Sequence, residues 1–155
     1  MLLTKVTIPY SVTIIGKNAF EECESLEKVK IPSSVISIGQ LAFKKSSSLD
    51  QLMIPFSLTD LSQEIFFVLS QIRISSSVKQ IGPKAFCQYS SLTNIDIPSS
   101  VTIIDHHAFS KSNSLIQIKI PSSVTTIEQS AFIDCTALEH AELLCSITSI
   151  NEETF

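Results

Sequence analysis

The sequence predicts a β-rich α/β solenoid: a right-handed coil with a parallel sheet along one side, and short strands plus single helical turns along the other. Three observations carry that prediction. A unit of about 23 residues recurs through the whole chain. Each unit contains a short alternation of apolar and polar residues. A proline closes most of these alternations.

The register is set by phenylalanine. Phe20, Phe43, Phe66, Phe86, Phe109, Phe132 and Phe155 are 23 residues apart, except for 20 residues between Phe66 and Phe86. A serine keeps the same beat at Ser11, Ser34, Ser57, Ser77, Ser100, Ser123 and Ser146. So do the apolar columns Val12, Val35, Leu58, Val78, Val101, Val124, Ile147 and Ile15, Ile38, Leu61, Ile81, Ile104, Ile127, Ile150. A period of roughly 20–29 residues around Leu-x-x-Ile-x-Ile belongs to the leucine-rich-repeat class of solenoids. Residues 1–155 therefore read as one solenoid domain, about six full repeats with partial ones at both ends.

Each part of the unit has a physical role. Leu26-Glu27-Lys28-Val29-Lys30-Ile31 points Leu, Val and Ile inward and the lysines outward, as a half-buried strand does. Pro32 then ends the strand, since it has no N–H for the next rung. Pro9, Pro55, Pro98 and Pro121 act alike, and Ser75 and Leu144 replace proline in two copies. The serine beside the proline is expected to satisfy backbone groups as a structural ladder, in preference to a row of hydroxyls for a ligand. Val35 and Ile38 return to the core. Gly16, Gly39 and Gly82 suit a tight turn at positive φ, where Asp105 and Asn151 are tolerated and Ser62 and Glu128 are less natural. Asn18-Ala19-Phe20 and its counterparts then predict a short helical or 3₁₀ turn, with Ala giving room and Phe filling the core.

Two irregularities interrupt the pattern. The third copy lacks three residues between Phe66 and Leu69, and Ile65 replaces the usual Ala. This predicts a local kink and a weak point; drift repaired by packing is preferred over a partner pocket around Phe56, Phe67 and Val68. The ends enter and leave in mid-repeat, at Leu3 and Phe155, without the polar caps that solenoids use. They read as open β edges, liable to self-association, of a longer or truncated array.

Bulk properties narrow the function. An apolar fraction of 44% and a charged fraction of 17% exclude a disordered chain. The net charge of −4 argues against nucleic acid as partner. No apolar run reaches the roughly 20 residues of a spanning helix, and no secretion signal opens the chain. Cys23 and Cys135 share a column but stand five repeats apart, about 24 Å at ~4.8 Å per rung, beyond disulfide reach. With Cys87 and Cys145 they read as buried, reduced thiols. Asp105-His106-His107 reads as an exposed turn, and His140 lies on another rung, so no metal site is expected. No nucleophile, base and orienter converge, and three glycines leave no phosphate-binding loop. The chain is expected to be no enzyme and to need no cofactor.

The assembled unit resembles the BspA-like, or Treponema pallidum type, leucine-rich repeats: Cys-x-x-Leu-x-x-Ile-x-Ile-Pro-x-Ser-Val-x-x-Ile-Gly-x-x-Ala-Phe. Cys23-Glu24-Ser25-Leu26 and Cys135-Thr136-Ala137-Leu138 carry the cysteine form, and Ser46, Tyr89 and Ser112 stand in that column elsewhere. The resemblance covers essentially the whole chain. It implies a non-catalytic interaction or adhesion module of the surface-antigen kind, at the cell surface, binding a host matrix or cell-surface protein. An intracellular scaffold or regulatory array at a cytoplasmic location is the alternative.

Stacking the strands sets two outward columns side by side. One reads Lys5, Lys28, Gln51, Gln71, Asn94, Gln117, His140; the other Thr7, Lys30, Met53, Arg73, Asp96, Lys119, Glu142. Solenoids bind partners across such extended surfaces. The candidate partner-binding residues are Lys28, Lys30, Met53, Arg73, Asp96, Gln117, Lys119 and Glu142. Their charge runs from basic to acidic along the coil, which suits a mixed protein surface better than a nucleic-acid backbone.

Overall fold

A computed structural model describes residues 3–49, 51–53, 57–58, 60–61, 71–144 and 146–155. Its strands, in chain order, are β1 (Lys5–Thr7), β2 (Ile14–Ile15), β3 (Lys28–Lys30), β4 (Ser37–Ile38), β5 (Gln51–Met53) and β6 (Asp60–Leu61). There follow β7 (Gln71–Arg73), β8 (Gln80–Ile81), β9 (Ile103–Ile104), β10 (Gln117–Ile120), β11 (Thr126–Ile127) and β12 (His140–Leu143). All their pairings are parallel, and each strand pairs with the equivalent strand of a neighbouring coil. The chain is a β-solenoid, as the period predicts.

On the main strand face β1, β3, β5 and β7 form one ladder and β10 and β12 another. Between them Asn94-Ile95-Asp96 contributes a single bridge, Asp96 to Lys119, in place of the strand that the repeat predicts. Asn and Asp are poor strand residues, and two of them flank Ile95. This rung also follows the copy that is three residues short. The second face breaks elsewhere: β2 pairs β4, while β6, β8, β9 and β11 run continuously past the Asn94 rung. The Phe56, Phe67 and Val68 pocket considered for the third copy lies outside the described residues.

The core follows the columns. Val35, Val78, Val101 and Val124, with Ile38, Ile81, Ile104 and Ile127, are buried. The phenylalanines stack as a ladder: Phe20 on Phe43 at 5.3 Å, Phe86 on Phe109 at 5.1 Å, Phe109 on Phe132 at 5.1 Å and Phe132 on Phe155 at 5.2 Å, with ring planes within 13° of parallel. Phe43, Phe86, Phe109 and Phe132 are fully buried, which stabilises by roughly 1.5–3 kcal/mol each.

Polar ladders tie coil to coil. The Ser34 hydroxyl donates to the Val12 carbonyl at 2.8 Å, Ser100 to Val78 at 2.7 Å and Ser123 to Val101 at 2.7 Å; Ser57 donates to Val35 and Ser77 to Leu58 in the same way. The serine column is thus structural, but it bonds the preceding coil, where the sequence suggested its own turn. Ser75 stands in for proline by accepting from the Ser77 N–H at 3.3 Å. A second ladder explains why Cys and Ser alternate in one column. Ser46 donates to the Phe20 carbonyl at 2.6 Å, Ser112 to Phe86 at 2.7 Å and the Cys135 thiol to Phe109 at 3.0 Å.

The outer arc corrects two expectations. Where single helical turns were expected, it is a run of β-turns, and no helix occurs among the described residues. The Ala42 N–H donates to the Gly39 carbonyl at 3.2 Å and Ala85 to Gly82 at 3.2 Å, but the residue between carries positive φ: Leu41 at 57°, Lys84 at 56°. A left-handed residue ends the right-handed spiral after one bond. A second left-handed position follows at Glu22, Lys45, Gln88, Lys111 and Asp134. Three of these are held by bonds to the next coil: the Glu22 N–H donates to the Lys44 carbonyl at 2.8 Å, Gln88 to Ser110 at 2.7 Å and Lys111 to Ile133 at 2.9 Å.

The glycines, by contrast, have no positive φ, and neither do Asp105, Glu128 and Asn151; Ser62 is outside the described residues. Gly39 is there for close approach. A Cβ on it would lie 2.5 Å from the Lys17 backbone nitrogen and 2.7 Å from the Gly16 carbonyl carbon. Later coils accommodate a side chain in the same column, at Asp105 and Glu128.

Candidate interaction surface

The period-two alternation of the strands decides which side chains face outward. Lys28, Lys30, Asp96, Gln117, Lys119 and Glu142 are all exposed, while Val29, Ile95 and Ile118 between them are buried. Met53 and Arg73 are opposite one another on β5 and β7, and their side chains lie outside the described residues. The register sets Lys5 beside Lys28, Thr7 beside Lys30, Gln117 beside His140 and Lys119 beside Glu142.

The ladder break divides this surface. On the N-terminal side Lys5, Lys28 and Lys30 gather like charges that no ion pair among the described residues neutralises. Directly opposed like charges are unfavourable in a sheet, so the patch is poorly explained as a stabilising device. On the C-terminal side Asp96, Gln117, Lys119 and Glu142 come together with Asn94 and His140 around a cleft of about 310 Å³. Lys119 pairs with Glu142 at 3.2 Å, both more than half exposed, which is worth at most about 1 kcal/mol.

A larger crevice of about 560 Å³ lies at the break itself, lined by Ile72, Ile74, Asn94, Ile95, Asp96, Ile97 and Pro98. Reading the columns rung by rung missed it, because the repeat promised an unbroken sheet there. The Asn-Ile-Asp triplet was the available signal, through its weak strand propensity. The open surface of the crevice is more polar than apolar, because Ile72, Ile95 and Ile97 are themselves nearly buried.

The remaining candidates do not converge. Asp105 is occupied locally: Oδ1 accepts from the His106 backbone N–H at 2.7 Å and is 2.6 Å from His106 Nδ1, while Oδ2 accepts from Gln80 Nε2 at 2.8 Å. Among the described residues no group of three or more His, Cys, Asp or Glu could hold a metal ion. Cys87 is buried, whereas Cys23 and Cys135 are half-buried free thiols; Cys145 is outside the described residues. Desolvation pushes the Cys135 thiol up to about 11, which keeps it protonated and able to donate to Phe109. On the outer arc Lys45 donates to Glu22 at 2.7 Å, holding the Glu22 carboxyl below and the Lys45 ammonium above their usual ranges.

A family profile described as a BspA type leucine rich repeat region, with six copies, matches residues 1–72 and 68–155. A comparison with curated proteins returned no match. Among solved structures, the chain is similar to a leucine rich repeat protein of T. pallidum, at 26% identity and a TM-score of 0.78, covering 94% of this chain and 72% of that one. A leucine-rich repeat protein from Bacteroides ovatus is 31% identical with a TM-score of 0.55, over 90% of this chain and 33% of its own. A leucine rich cell surface protein from Faecalibacterium prausnitzii is 26% identical with a TM-score of 0.52, over 90% of this chain and 60% of its own. This chain thus spans less than two thirds of the latter two proteins.

Proposed function

The chain belongs to the BspA-type leucine-rich-repeat family, whose solenoids generally bind proteins and are generally non-catalytic, and from that premise we propose that it is a binding module whose recognition surface is the main strand face, centred on the Asn94 rung. The observation that carries this reading is the coincidence at one rung of the ladder break, the crevice beside it and the exposed columns. Architecture accounts for most of the repeating residues; the outward columns vary from rung to rung and are free to encode a partner. The partner is a protein with an acidic patch for Lys28 and Lys30 and polar groups for Asn94 and Asp96 at the crevice.

The similar protein from F. prausnitzii is a cell surface protein, which supports a surface location here; an adhesion role there, directed at a matrix or host-cell protein, is the finer reading we propose. No helix among the described residues is long and apolar enough to cross a membrane. Affinity capture with the wild-type domain and with a Lys30→Glu, Asp96→Lys, Lys119→Glu variant tests the face. Loss of capture in the variant is expected; equal capture refutes the assignment. Surface labelling of intact cells tests the location, and a chain left unlabelled would favour an intracellular scaffold.

A further inference from the structure

We propose that the protein forms a closed two-fold dimer through the side of the coil that carries β2 and β4, with Tyr10, Ile14 and Ile36 at the centre of the contact. Tyr10 is 73% exposed, Ile14 62% and Ile36 65%. The three stand together. Ile14 and Ile36 lie on neighbouring coils, where Ile14 is in register with Ser37 and the Ile36 N–H donates to the Thr13 carbonyl at 2.8 Å. Tyr10 is in the turn that leads into β2, closed by the bond from the Val12 N–H to the Pro9 carbonyl at 3.1 Å.

Their exposure belongs to their columns in the repeat and not to a place along the solenoid. Ser33, Ser99 and Ser122 share the Tyr10 column and are exposed on coils that have neighbours on both sides. So are Ser37 in the Ile14 column and Thr102 and Thr125 in the Ile36 column. These columns carry mostly Ser and Thr. Here three large apolar groups replace them on two adjacent coils, and the packing of the coil makes little use of any of the three.

Charge selects the occupant. The chain carries a net charge of −4, so two copies repel each other except through a neutral surface. Ser11, Thr13, Ser33 and Ser37 border the patch, exposed or half-buried positions without charge; Lys17 is at its margin. A two-fold contact sets a patch against itself, which neutral groups allow and like charges oppose. A lipid surface calls for cations around the apolar groups. The lysines gather on the main strand face instead, at Lys5, Lys28 and Lys30. The three side chains expose on the order of 400 Å², about half of the ~800 Å² that each partner gives to a standard interface, and the hydroxyl border supplies the rest. Such a dimer leaves the main strand face of each copy uncovered, so it meets a ligand with two sites in place of one.

Sedimentation velocity over a wide concentration range tests the contact. A monomer–dimer equilibrium that stops at the dimer is expected. Ile36→Lys, checked for folding by circular dichroism, should weaken it by at least about tenfold, while Thr102→Lys in the same column should change it by less than about twofold. Mixing Ile36→Lys chains with Ile36→Glu chains should restore the dimer that each forms poorly alone, because the two-fold brings opposite charges together across the patch. Assembly that continues beyond the dimer overturns the proposal. So does a dimer indifferent to Ile36→Lys, a mixture no stronger than its parents, or a monomer at every concentration. A monomer that instead sediments with vesicles of phosphatidylcholine and phosphatidylglycerol overturns it in favour of a lipid surface.

Discussion

The serine ladder offers the sharpest test of how coils are joined. Ser99 and Ser100 are adjacent in sequence and chemically identical, yet Ser99 is exposed while the Ser100 hydroxyl donates to the Val78 carbonyl at 2.7 Å. Val78 is fully buried, so water cannot readily replace the lost donor. Ser100→Ala should therefore destabilise by about 1–2 kcal/mol: a neutral bond of about 1 kcal/mol plus part of the desolvation of the carbonyl. Ser99→Ala should stay within about 0.5 kcal/mol of wild type. For a chain of this length, about 1.5 kcal/mol lowers Tm by roughly 5 °C. It also lowers the urea midpoint by about 0.7 M at an m-value near 2 kcal/mol/M. Thermal and urea unfolding followed by circular dichroism would read both. Equal effects of the two substitutions would refute the ladder.

Other substitutions test the remaining contacts. Phe109→Ala removes the ring between Phe86 and Phe132 and should destabilise by about 3–5 kcal/mol in urea unfolding. Gly39→Ala forces a Cβ against the Lys17 backbone and should destabilise by about 1–3 kcal/mol, whereas Gly16→Ala, with open space around it, should change little. Cys135, its thiol raised to about 11 by burial from an ordinary 9.0, should at pH 8 carry roughly a hundredfold less thiolate than a free thiol. Its folded pKa is the higher one. Its contribution to stability is therefore complete below about pH 9 and lost as pH rises through about 11. Iodoacetamide labelling followed by mass spectrometry against pH would show both the slow rate at neutrality and the late inflection.

The period, the inward columns and the outward columns were legible because each is repeated: seven copies in phase average out the noise of any one. What was not legible depends on neighbouring coils. Nothing local marks Lys84 or Gln88 as left-handed, since neither has the propensity; each donates its backbone N–H to the next coil, to the His106 and Ser110 carbonyls. The glycine column looked like a turn signal, but at Gly39 the constraint is the backbone of the coil before it. The serine acceptors were invisible for the same reason, being 22 residues away in sequence. At the site, the exposed columns were predictable from alternation alone. The crevice was not, because it arises where Asn94-Ile95-Asp96 fails to repeat its neighbours.

The central claim is that recognition occurs on the strand face at the ladder break. Its most direct test is site-specific photo-crosslinking, with the same photoreactive residue placed at Gln117 on the strand face or at Gln129 on the exposed outer arc. In the presence of a captured partner, a crosslink is expected from position 117 and none from 129. A crosslink from 129 with none from 117 would contradict it.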